Sequence, residues 1–206
     1  MLNIAVLVSG GGTNLQALID AEKKGIIKSG KITLVLADRP SYGLERAKNA
    51  NIATQLLDKK SLGRKAFESA LLDTLSANNI DMIVLAGFLS ILSPVIISAY
   101  NDRIINIHPS LIPSFCGKGF YGLHVHEEVL SYGVKVTGAT VHLVNEIPDG
   151  GRILLQKAVE VKDGDTPERL QKRVMEEAEW VILPEAVRLI AQGRIRIRDN
   201  KVVEVI

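Results

Sequence analysis

Short apolar runs alternate with helical patterns along the first half of the chain. The runs IAVLVSG, KITLVLAD and DMIVLAG are apolar without alternation, which is typical of strands buried on both faces. Between them, NLQALIDAEKKG and RKAFESALLDTLSANN place leucines at helical spacing, and GLERAKNA and SPVIISAY also predict helices. The stretches TQLLD and RIINIHP complete the predicted strands. This order predicts a parallel sheet covered by helices on both faces.

The pattern changes in the second half. VKVTGATVHLVN alternates, and ILLQKAVEVKDG follows it closely, so we expect antiparallel strands there. Thr166 is a predicted helix cap, with Pro167 in the first helical position. We expect Pro184 to kink that helix and a terminal hairpin to turn at Asp199-Asn200. The predicted buried face of the helix consists of Leu170, Val174, Ala178 and Val181.

The predicted fold class is therefore α/β: a Rossmann-like, mostly parallel sheet with helices on both faces and antiparallel strands in the C-terminal half. At 206 residues, 47% of them hydrophobic, the chain suits one domain. The apolar run MIVLAGFLSILSPVIISAY is interrupted by Gly87, Ser90, Ser93 and Pro94, so we do not interpret it as a membrane span.

Composition narrows the classes of function. The net charge is +2, aromatics make up 4%, and GRIRIR is the one basic run that stands out, which argues against a nucleic-acid binder. The single cysteine, Cys116, indicates a reducing compartment. The start MLNIAVL lacks a basic flank and is interpreted as a strand. We therefore expect a cytoplasmic protein with neither a nucleic-acid nor a membrane partner.

Three loops of unusual composition follow strands of the predicted sheet. One strand ends in Ser9-Gly10-Gly11-Gly12, another in Ala86-Gly87-Phe88, and a third in Asn106-Ile107-His108. The carboxyl ends of parallel strands lie along one edge, where ligands bind in such folds. These loops are therefore predicted to share a binding rim.

The glycine-rich loop SGGGTNLQ joins a strand to a helix. Glycines let the backbone approach a ligand, and the N–H groups at a helix start attract an anion. A dinucleotide fingerprint would need glycine where Leu15 stands, so a single phosphate is the preferred interpretation. Asp38, after the second strand, leaves the dinucleotide alternative open, and a plain capped turn is the other alternative.

Polar side chains also end the strand RIINIHP. Asn106 and His108 alternate with isoleucines, so both point to one side of an extended chain. The segment GATVHLVNEIPDGG adds Thr140, His142 and Asp149. Taken alone, Asn106 and His108 are better interpreted as a solvated strand end and PDGG as a surface turn, and His142 is as readily a structural histidine as a catalytic one.

Two further groups invite chemical interpretations. His124 and His126 suggest a metal site, but residues two apart do not share a helical face, so we expect no metal. Cys116 could be a nucleophile, although no base is placed beside it by any motif, and an inert loop thiol is preferred.

Several segments together resemble one enzyme family over nearly the whole chain. SGGGTNLQAL, GLERA, LAGFLSILSP, NIHPSLIP, GATVHLVNEIPDGG and ILLQKAVEV occur in the order found in phosphoribosylglycinamide formyltransferases. NIHPSLIP with a later DGG is shared with methionyl-tRNA formyltransferase and formyltetrahydrofolate deformylase, which carry an extra C-terminal and N-terminal domain, respectively. The length of this chain favours the first family.

The resemblance implies a role for individual residues. Asn106, His108 and Asp149 match the catalytic trio of the family. It also implies one formyltransferase domain over 1–206, with a phosphate-binding half over 1–100 and a catalytic and folate-binding half over 101–206. The ribonucleotide contacts implied are Gly12, Thr13, Asn14 and Glu179. The folate contacts implied are Arg64, Leu89, Ser90, Ile91, Leu92, Asn106 and the loop from Asn145 to Asp149.

This chain departs from the family pattern at three places. Leu143 and Pro148 stand where an aromatic and an aliphatic residue are common, and Ser90 replaces a residue that is often arginine. The link CGKGFYGLH after NIHPSLIP is longer than usual, so the resemblance assigns no role to Lys118 or Tyr121.

The activity implied is transfer of the formyl group of 10-formyltetrahydrofolate to the amine of phosphoribosylglycinamide. Asn106 and a protonated His108 would stabilise the negative oxygen of a tetrahedral intermediate. Asp149 would hold His108 protonated and accept the proton of the amine. This chemistry requires neither a metal nor a nicotinamide. A hydrolase of the same cofactor and a non-catalytic nucleotide-binding module are the alternatives.

Overall fold

The computed structural model describes residues 1–198 and the backbone of residues 202–205. The predicted turn at Asp199-Asn200 lies outside the described residues. The strands are β1 (Leu2–Val8), β2 (Gly30–Ala37), β3 (Ala53–Leu56), β4 (Met82–Leu85), β5 (Ile104–His108), β6 (Val136–Leu143), β7 (Ile153–Glu160), β8 (Ile195–Arg198) and β9 (Val202–Val205). The helices are α1 (Thr13–Lys23), α2 (Tyr42–Asn49), α3 (Lys59–Leu62), α4 (Arg64–Ala77), α5 (Pro94–Ala99), α6 (Leu123–Tyr132), α7 (Pro167–Val174) and α8 (Trp180–Ala191).

The chain divides into two compact units, Met1–Ile105 and Asn106–Ile206. In the first unit, β1 pairs in parallel with β2 and with β4, and β2 pairs in parallel with β3. The side chains from Ile4 to Val8 are fully buried, as expected for a strand covered on both faces. The prediction of a parallel sheet is therefore confirmed for this unit, with β1 buried on both faces, while β3 is largely exposed.

In the second unit, β6 pairs with β7 in the antiparallel sense, and β8 pairs with β9 likewise. The strand order of the main sheet is β3-β2-β1-β4-β5-β6-β7. The predicted fold class, a mostly parallel sheet with antiparallel strands in the C-terminal half, is thus confirmed. None of the helices in the described part of the chain has the length and apolarity that a membrane crossing requires.

The helical segment after β7 is more complex than the sequence predicts. Thr166 caps α7 as expected, because its Oγ1 accepts the backbone N–H of Arg169 at 3.3 Å. A π turn, Met175–Glu179, then separates α7 from α8, which contains Pro184. A π turn adds one residue and so rotates the following side chains by about 100°.

That rotation overturns one predicted core residue. Leu170, Val174 and Ala178 are fully buried as predicted, but Val181 is 46% exposed. Leu183, two residues later, is fully buried instead. The expectation for Val181 was wrong because it continued a 3.6-residue period through a turn that does not follow it.

Gly138, in the same strand as Thr140 and His142, allows neighbouring groups to pack closely against β6. A Cβ at this position would lie 2.0 Å from the carbonyl oxygen of Lys157 and 2.9 Å from a methyl of Leu111. The lysine carbonyl belongs to the neighbouring strand β7, so the backbone would have to shift to admit any side chain. β6 therefore depends on glycine here.

We predict that Gly138→Ala destabilises the protein by about 1–3 kcal/mol, the range typical of overpacking. The measurement is the denaturant midpoint together with the melting temperature. Ala158→Ser is the matched control, because Ala158 is the exposed cross-strand partner of Gly138. Equal midpoints for the two variants would contradict the packing argument.

Candidate active site

The structure brings together the three residues predicted to act in catalysis. Asn106 and His108 lie at the end of β5, and Asp149 lies in the loop between β6 and β7. The Nδ2 of Asn106 donates to Oδ1 of Asp149 at 3.3 Å, and Nδ1 of His108 lies 3.5 Å from Oδ2. An amide, an imidazole and a carboxylate therefore meet within a few ångströms.

A second imidazole fixes the orientation of the Asn106 amide. Nδ1 of His142 lies 2.9 Å from the carbonyl oxygen of Leu143, which only accepts, so Nδ1 carries a hydrogen. In the neutral ring, Nε2 is then the acceptor for the Asn106 amide at 3.1 Å. Both neighbours of that amide group are acceptors, and Asn106 must therefore present its nitrogen.

The position of Asp149 is set by the turn that contains it. Its backbone is left-handed, with φ of 54°, and Gly150 N–H donates to the carbonyl of Ile147 at 2.9 Å. Asn145, predicted to contact folate, braces the same turn: its amide donates to Gly150 O at 3.1 Å, and its carbonyl accepts Ile147 N–H at 3.0 Å. PDGG is thus an ordered turn that directs a carboxylate toward His108.

Burial and neighbouring groups act in opposite directions on the pKa of Asp149 and on that of His108. Burial alone would raise the pKa of Asp149, but the side chain of His142, the charge of His108 and the Gly117 N–H together lower it. For His108, burial outweighs the attraction of Asp149, so its pKa is lowered. Asp149 favours the protonated form of His108, as expected, but burial opposes it with the larger effect, so the expectation that Asp149 holds His108 protonated stays a prediction.

His124 and His126, the two histidines that suggested a metal site in the sequence, differ in burial. His124 is exposed and lies 3.2 Å from Glu127, whereas His126 is fully buried. Burial, with a smaller contribution from the charge of His108, lowers the pKa of His126 to about 4. Among the described residues, no group of three or more His, Cys, Asp or Glu side chains is arranged to hold a metal ion.

The segment after β5 is held by a polar side chain of β6. Thr140 donates its hydroxyl to the carbonyl of Ser110 at 2.7 Å and accepts the N–H of Ile112 at 3.1 Å. Gln156 also donates to Thr140, at 3.0 Å, and to the carbonyl of Ile112. The sequence singled out Thr140 without a role, and the structure shows that it anchors the SLIP turn.

The long link after this turn returns to the catalytic candidates. The carbonyl of Phe115 lies 2.9 Å from Nε2 of His108, and the N–H of Gly117 donates to Oδ2 of Asp149 at 2.8 Å. Cys116 lies between them, with its thiol on the carbonyl of Pro113 at 3.3 Å. Burial and, less strongly, the charge of Asp149 raise the pKa of the thiol, so it stays protonated.

In the first unit, the glycine-rich loop precedes α1 as predicted. Gly12 is left-handed, with φ of 70°, and a Cβ there would lie 2.7 Å from the Cα of Gly43. Arg46 donates from Nε to the carbonyl of Gly11 at 2.7 Å and places a cation beside the loop. The sequence analysis missed Arg46, although its position in GLERA was a usable signal. Thr13 and Asn14 begin α1.

The predicted folate segment is tied to the other strand ends of the first unit. Ser9 N–H donates to the carbonyl of Gly87 at 3.1 Å, and Leu89 N–H donates to the hydroxyl of Ser9 at 2.8 Å. Two of the three strand-end loops therefore contact each other. Ser90 donates to Asp38 at 2.6 Å and accepts from Lys59 at 3.1 Å.

Asp38 is fully engaged within the protein. Its carboxylate also receives two hydrogen bonds from Arg39, at 3.0 and 3.1 Å, and it is 2% exposed. Burial opposes ionisation, but the bonds from Arg39, Ser90 and Ser9 lower the pKa of Asp38 overall. A carboxylate held in this way is not available for a ribose, which weakens the dinucleotide interpretation.

The remaining predicted contacts differ in accessibility. Leu89 and Ile91 are 48% and 69% exposed, whereas Leu92 is buried. Arg64 is exposed and pairs with Glu68 at 2.9 Å, one helical turn away. Glu179, predicted to contact the ribonucleotide, is buried in the π turn of the second unit. π turns are frequent at functional sites.

Comparison with known proteins agrees with this geometry. Residues 2–187 match the model of the formyl transferase family. The chain is 40% identical to the phosphoribosylglycinamide formyltransferase of Escherichia coli strain K12, over 97% of this chain and 92% of that protein. It is 43% identical to the trifunctional purine biosynthetic protein adenosine-3 of Bos taurus, of which it spans 19% of the length.

Among solved structures, glycinamide ribonucleotide transformylase 1 from Symbiobacterium toebii is similar with a TM-score of 0.92 and 42% identity. The similarity covers 100% of this chain and 94% of that one. The resemblance drawn from NIHPSLIP and DGG is thereby confirmed. The chain belongs to the formyl transferase family, among the phosphoribosylglycinamide formyltransferases.

Proposed function

We propose that this protein transfers the formyl group of 10-formyltetrahydrofolate to the amine of phosphoribosylglycinamide. The products are phosphoribosyl-N-formylglycinamide and tetrahydrofolate, as in the synthesis of purines. The observation that carries the proposal is the convergence of Asn106 and His108 on Asp149, at 3.3 and 3.5 Å between polar atoms. Membership of the family supports the same chemistry.

The reaction begins when the nitrogen lone pair of the substrate amine attacks the formyl carbon on N10 of the folate. The carbonyl π electrons move to the oxygen, which becomes negative in the tetrahedral intermediate. Donors already aimed at such charge stabilise it most effectively. Asn106 presents its amide nitrogen, and its longer bond, 3.3 Å to Asp149, is the one that can be exchanged for the oxyanion.

Asp149 and His108 accept and return the proton that moves during the reaction. Asp149 is ionised and accepts the proton that the attacking amine loses. Nδ1 of His108, 3.5 Å away, shares this proton, and the resulting imidazolium stabilises the oxyanion. Collapse of the intermediate breaks the bond from carbon to N10, and the same proton passes to N10. His108 can therefore be neutral at rest, as its lowered pKa implies.

Binding is proposed to fall to residues outside this trio. Gly12, Thr13 and Asn14 would hold the phosphate at the start of α1, where free N–H groups favour an anion. The exposed apolar side chains of Leu89 and Ile91 would cover the flat pterin. The other proposed contacts are Glu179 for the ribonucleotide and Arg64, Ser90, Leu92 and Asn145 for the folate.

We also propose the setting in which the protein works. It acts in the cytoplasm on small molecules, without a metal and without a nucleic-acid or membrane partner. Residues 1–206 are proposed to form one formyltransferase domain, with phosphate binding assigned to 1–100 and catalysis and folate binding to 101–206.

The direct test mixes the purified protein with phosphoribosylglycinamide and 10-formyltetrahydrofolate and follows the formation of tetrahydrofolate by absorbance. Turnover that requires the ribonucleotide supports the proposal. Release of formate at the same rate without ribonucleotide would identify a hydrolase. Binding of both compounds without turnover, unchanged by His108→Ala, would identify a binding module.

Gly12→Val is expected to raise the KM for the ribonucleotide strongly and to leave folate affinity nearly unchanged. A valine must adopt φ of 70° and collides with Gly43, which closes the loop proposed to hold the phosphate. Gly25→Val is the matched control, since Gly25 has φ of 69° and a Cβ there would make an ordinary contact with the side chain of Lys28 at 3.9 Å. Equal loss of both affinities in a folded Gly12 variant would remove the phosphate assignment.

Asp149→Asn is expected to lower kcat by about 10²–10⁴-fold, the usual contribution of an acid–base group. The carboxylate raises the pKa of His108, so its removal lowers that pKa further, and activity should shift toward lower pH. The measurement is a kcat–pH profile, with Asp163→Asn as a control at a fully exposed carboxylate. A wild-type profile in Asp149→Asn would exclude Asp149 from the mechanism.

Cys116→Ala is expected to retain near-normal kcat and KM, because the thiol is protonated and donates to the backbone carbonyl of Pro113 at 3.3 Å. Steady-state kinetics, with folding checked by circular dichroism, provide the measurement. A folded variant without turnover would point to a thiol mechanism and against direct formyl transfer to the amine.

A further inference from the structure

The segment Phe115–Gly117, which we call the clamp loop, contacts both ionisable members of the catalytic trio through its backbone. The carbonyl of Phe115 lies 2.9 Å from Nε2 of His108, and the N–H of Gly117 donates to Asp149 at 2.8 Å. We propose that the clamp loop is a positioning element that fixes the tautomer of His108 and the charge of Asp149. This inference rests on the function proposed above and adds residues that the family resemblance does not assign.

The carbonyl of Phe115 decides which nitrogen of His108 exchanges protons. A carbonyl oxygen has no hydrogen to donate, so Nε2 must carry one in every protonation state of the ring. The neutral ring then has its lone pair on Nδ1, which faces Oδ2 of Asp149 at 3.5 Å. Any proton that His108 gains is therefore placed on the atom that faces the carboxylate.

The N–H of Gly117 acts on the other partner. It donates to Oδ2 of Asp149, the same oxygen that faces Nδ1 of His108. A hydrogen bond to a carboxylate favours the charged form and fixes its orientation. The loop thus keeps Asp149 ready to accept a proton and directs one of its oxygens at the nitrogen with which the proton is shared.

Other groups also act on this pair, and they come from every neighbouring element. Asp149 is faced by Asn106 from β5, by His142 from β6 and by the thiol of Cys116 within the loop. The charge of His108 also interacts with the buried imidazole of His126 in α6. Of these contacts, only those of the clamp loop are made by backbone atoms, so their geometry depends on the path of the chain.

The path of the clamp loop is constrained at both ends. Phe115 has a left-handed backbone, with φ of 49°, and its ring packs edge-on against Phe120 and Tyr132, with centroids 6.4 and 5.9 Å away. Before it, the hydroxyl of Ser110 donates to the carbonyl of Ser114 at 2.6 Å. After it, Phe120 N–H donates to the carbonyl of Gly117 at 3.1 Å.

Two glycines of this link provide a matched pair of variants. Gly117 and Gly119 have φ of 88° and 96°, and a Cβ at either would meet nothing within 4 Å. Alanine therefore strains the backbone at both positions and causes no collision at either. Gly117 bonds to Asp149, whereas Gly119 is exposed and takes no part in the contacts described above.

The experiment compares kcat–pH profiles of the wild type, Gly117→Ala and Gly119→Ala. Gly117→Ala should lower kcat by about 10- to 100-fold, as displaced catalytic groups do, with KM values nearly unchanged. Its acid limb should move to higher pH, because Asp149 loses a bond that lowers its pKa. Gly119→Ala should keep the wild-type profile. Equal losses in the two variants, or an unmoved acid limb in Gly117→Ala, would overturn the proposal.

Two further measurements keep the proposal testable if Gly117→Ala does not fold. Phe115→Ala removes the anchoring ring and should reproduce the kinetic change, whereas Phe115→Tyr should restore the wild-type profile. Nitrogen-15 resonances of His108 should report the Nε2–H tautomer in the wild type. An Nδ1–H tautomer, or a normal profile in Phe115→Ala, would overturn the role of the loop.

The outcomes separate this inference from the proposed function. If the wild type transfers the formyl group and Gly117→Ala and Gly119→Ala lose kcat equally, only the proposed role of the clamp loop is overturned. A wild type without formyl transfer would overturn the proposed function, while the tautomer measurement would still decide whether Phe115 fixes the His108 ring.

Discussion

A largely buried carboxylate is the constraint on which the candidate active site depends. Asp149 has lost most of its contact with water, and a charge in that position is costly unless hydrogen bonds and positive charge surround it. The amide of Asn106 and the N–H of Gly117 donate hydrogen bonds to it, and the imidazoles of His108 and His142 each lie 3.5 Å from one of its oxygens. Each comes from a different part of the second unit, so the strand end, the antiparallel strand β6 and the long link must all be in place before the carboxylate is stable as an anion.

Burial makes Asp149 dependent on its neighbours, and it also disfavours the protonated form of His108. Desolvation lowers the pKa of this imidazole more than the carboxylate raises it. A permanent imidazolium would bind the carboxylate as a closed ion pair and would leave no acceptor for the proton of the amine. A neutral ring beside an ionised carboxylate instead keeps the acceptor free. The balance between burial and charge therefore favours a site that receives a proton during the reaction.

The sequence predicted the elements that follow regular periods and failed where the period breaks. Apolar runs such as Ile4–Val8 identify buried parallel strands, and the run RIINIHP places Asn106 and His108 at a strand end. Alternation identifies β6 with its polar residues Thr140 and His142. Val181 was assigned to the core because a π turn leaves no signature in a 3.6-residue pattern. His142 and the clamp loop were not assigned because their roles depend on the tautomer of one ring and on backbone atoms, which side-chain patterns do not report.

The division of the chain at Ile105–Asn106 also bears on how the site works. β5 begins in one compact unit and ends in the other, and the boundary falls immediately before the first catalytic candidate. The contacts of Asp149 described above, from Asn106, His108, Gly117 and His142, therefore belong to the second unit, whereas the glycine-rich loop belongs to the first. The neighbouring groups that shift the pKa values of His108 and Asp149, such as Phe115, Gly117 and His142, belong to this second unit. Under the proposed assignment, a substitution in the glycine-rich loop should therefore change ribonucleotide affinity without changing the protonation of His108 or Asp149.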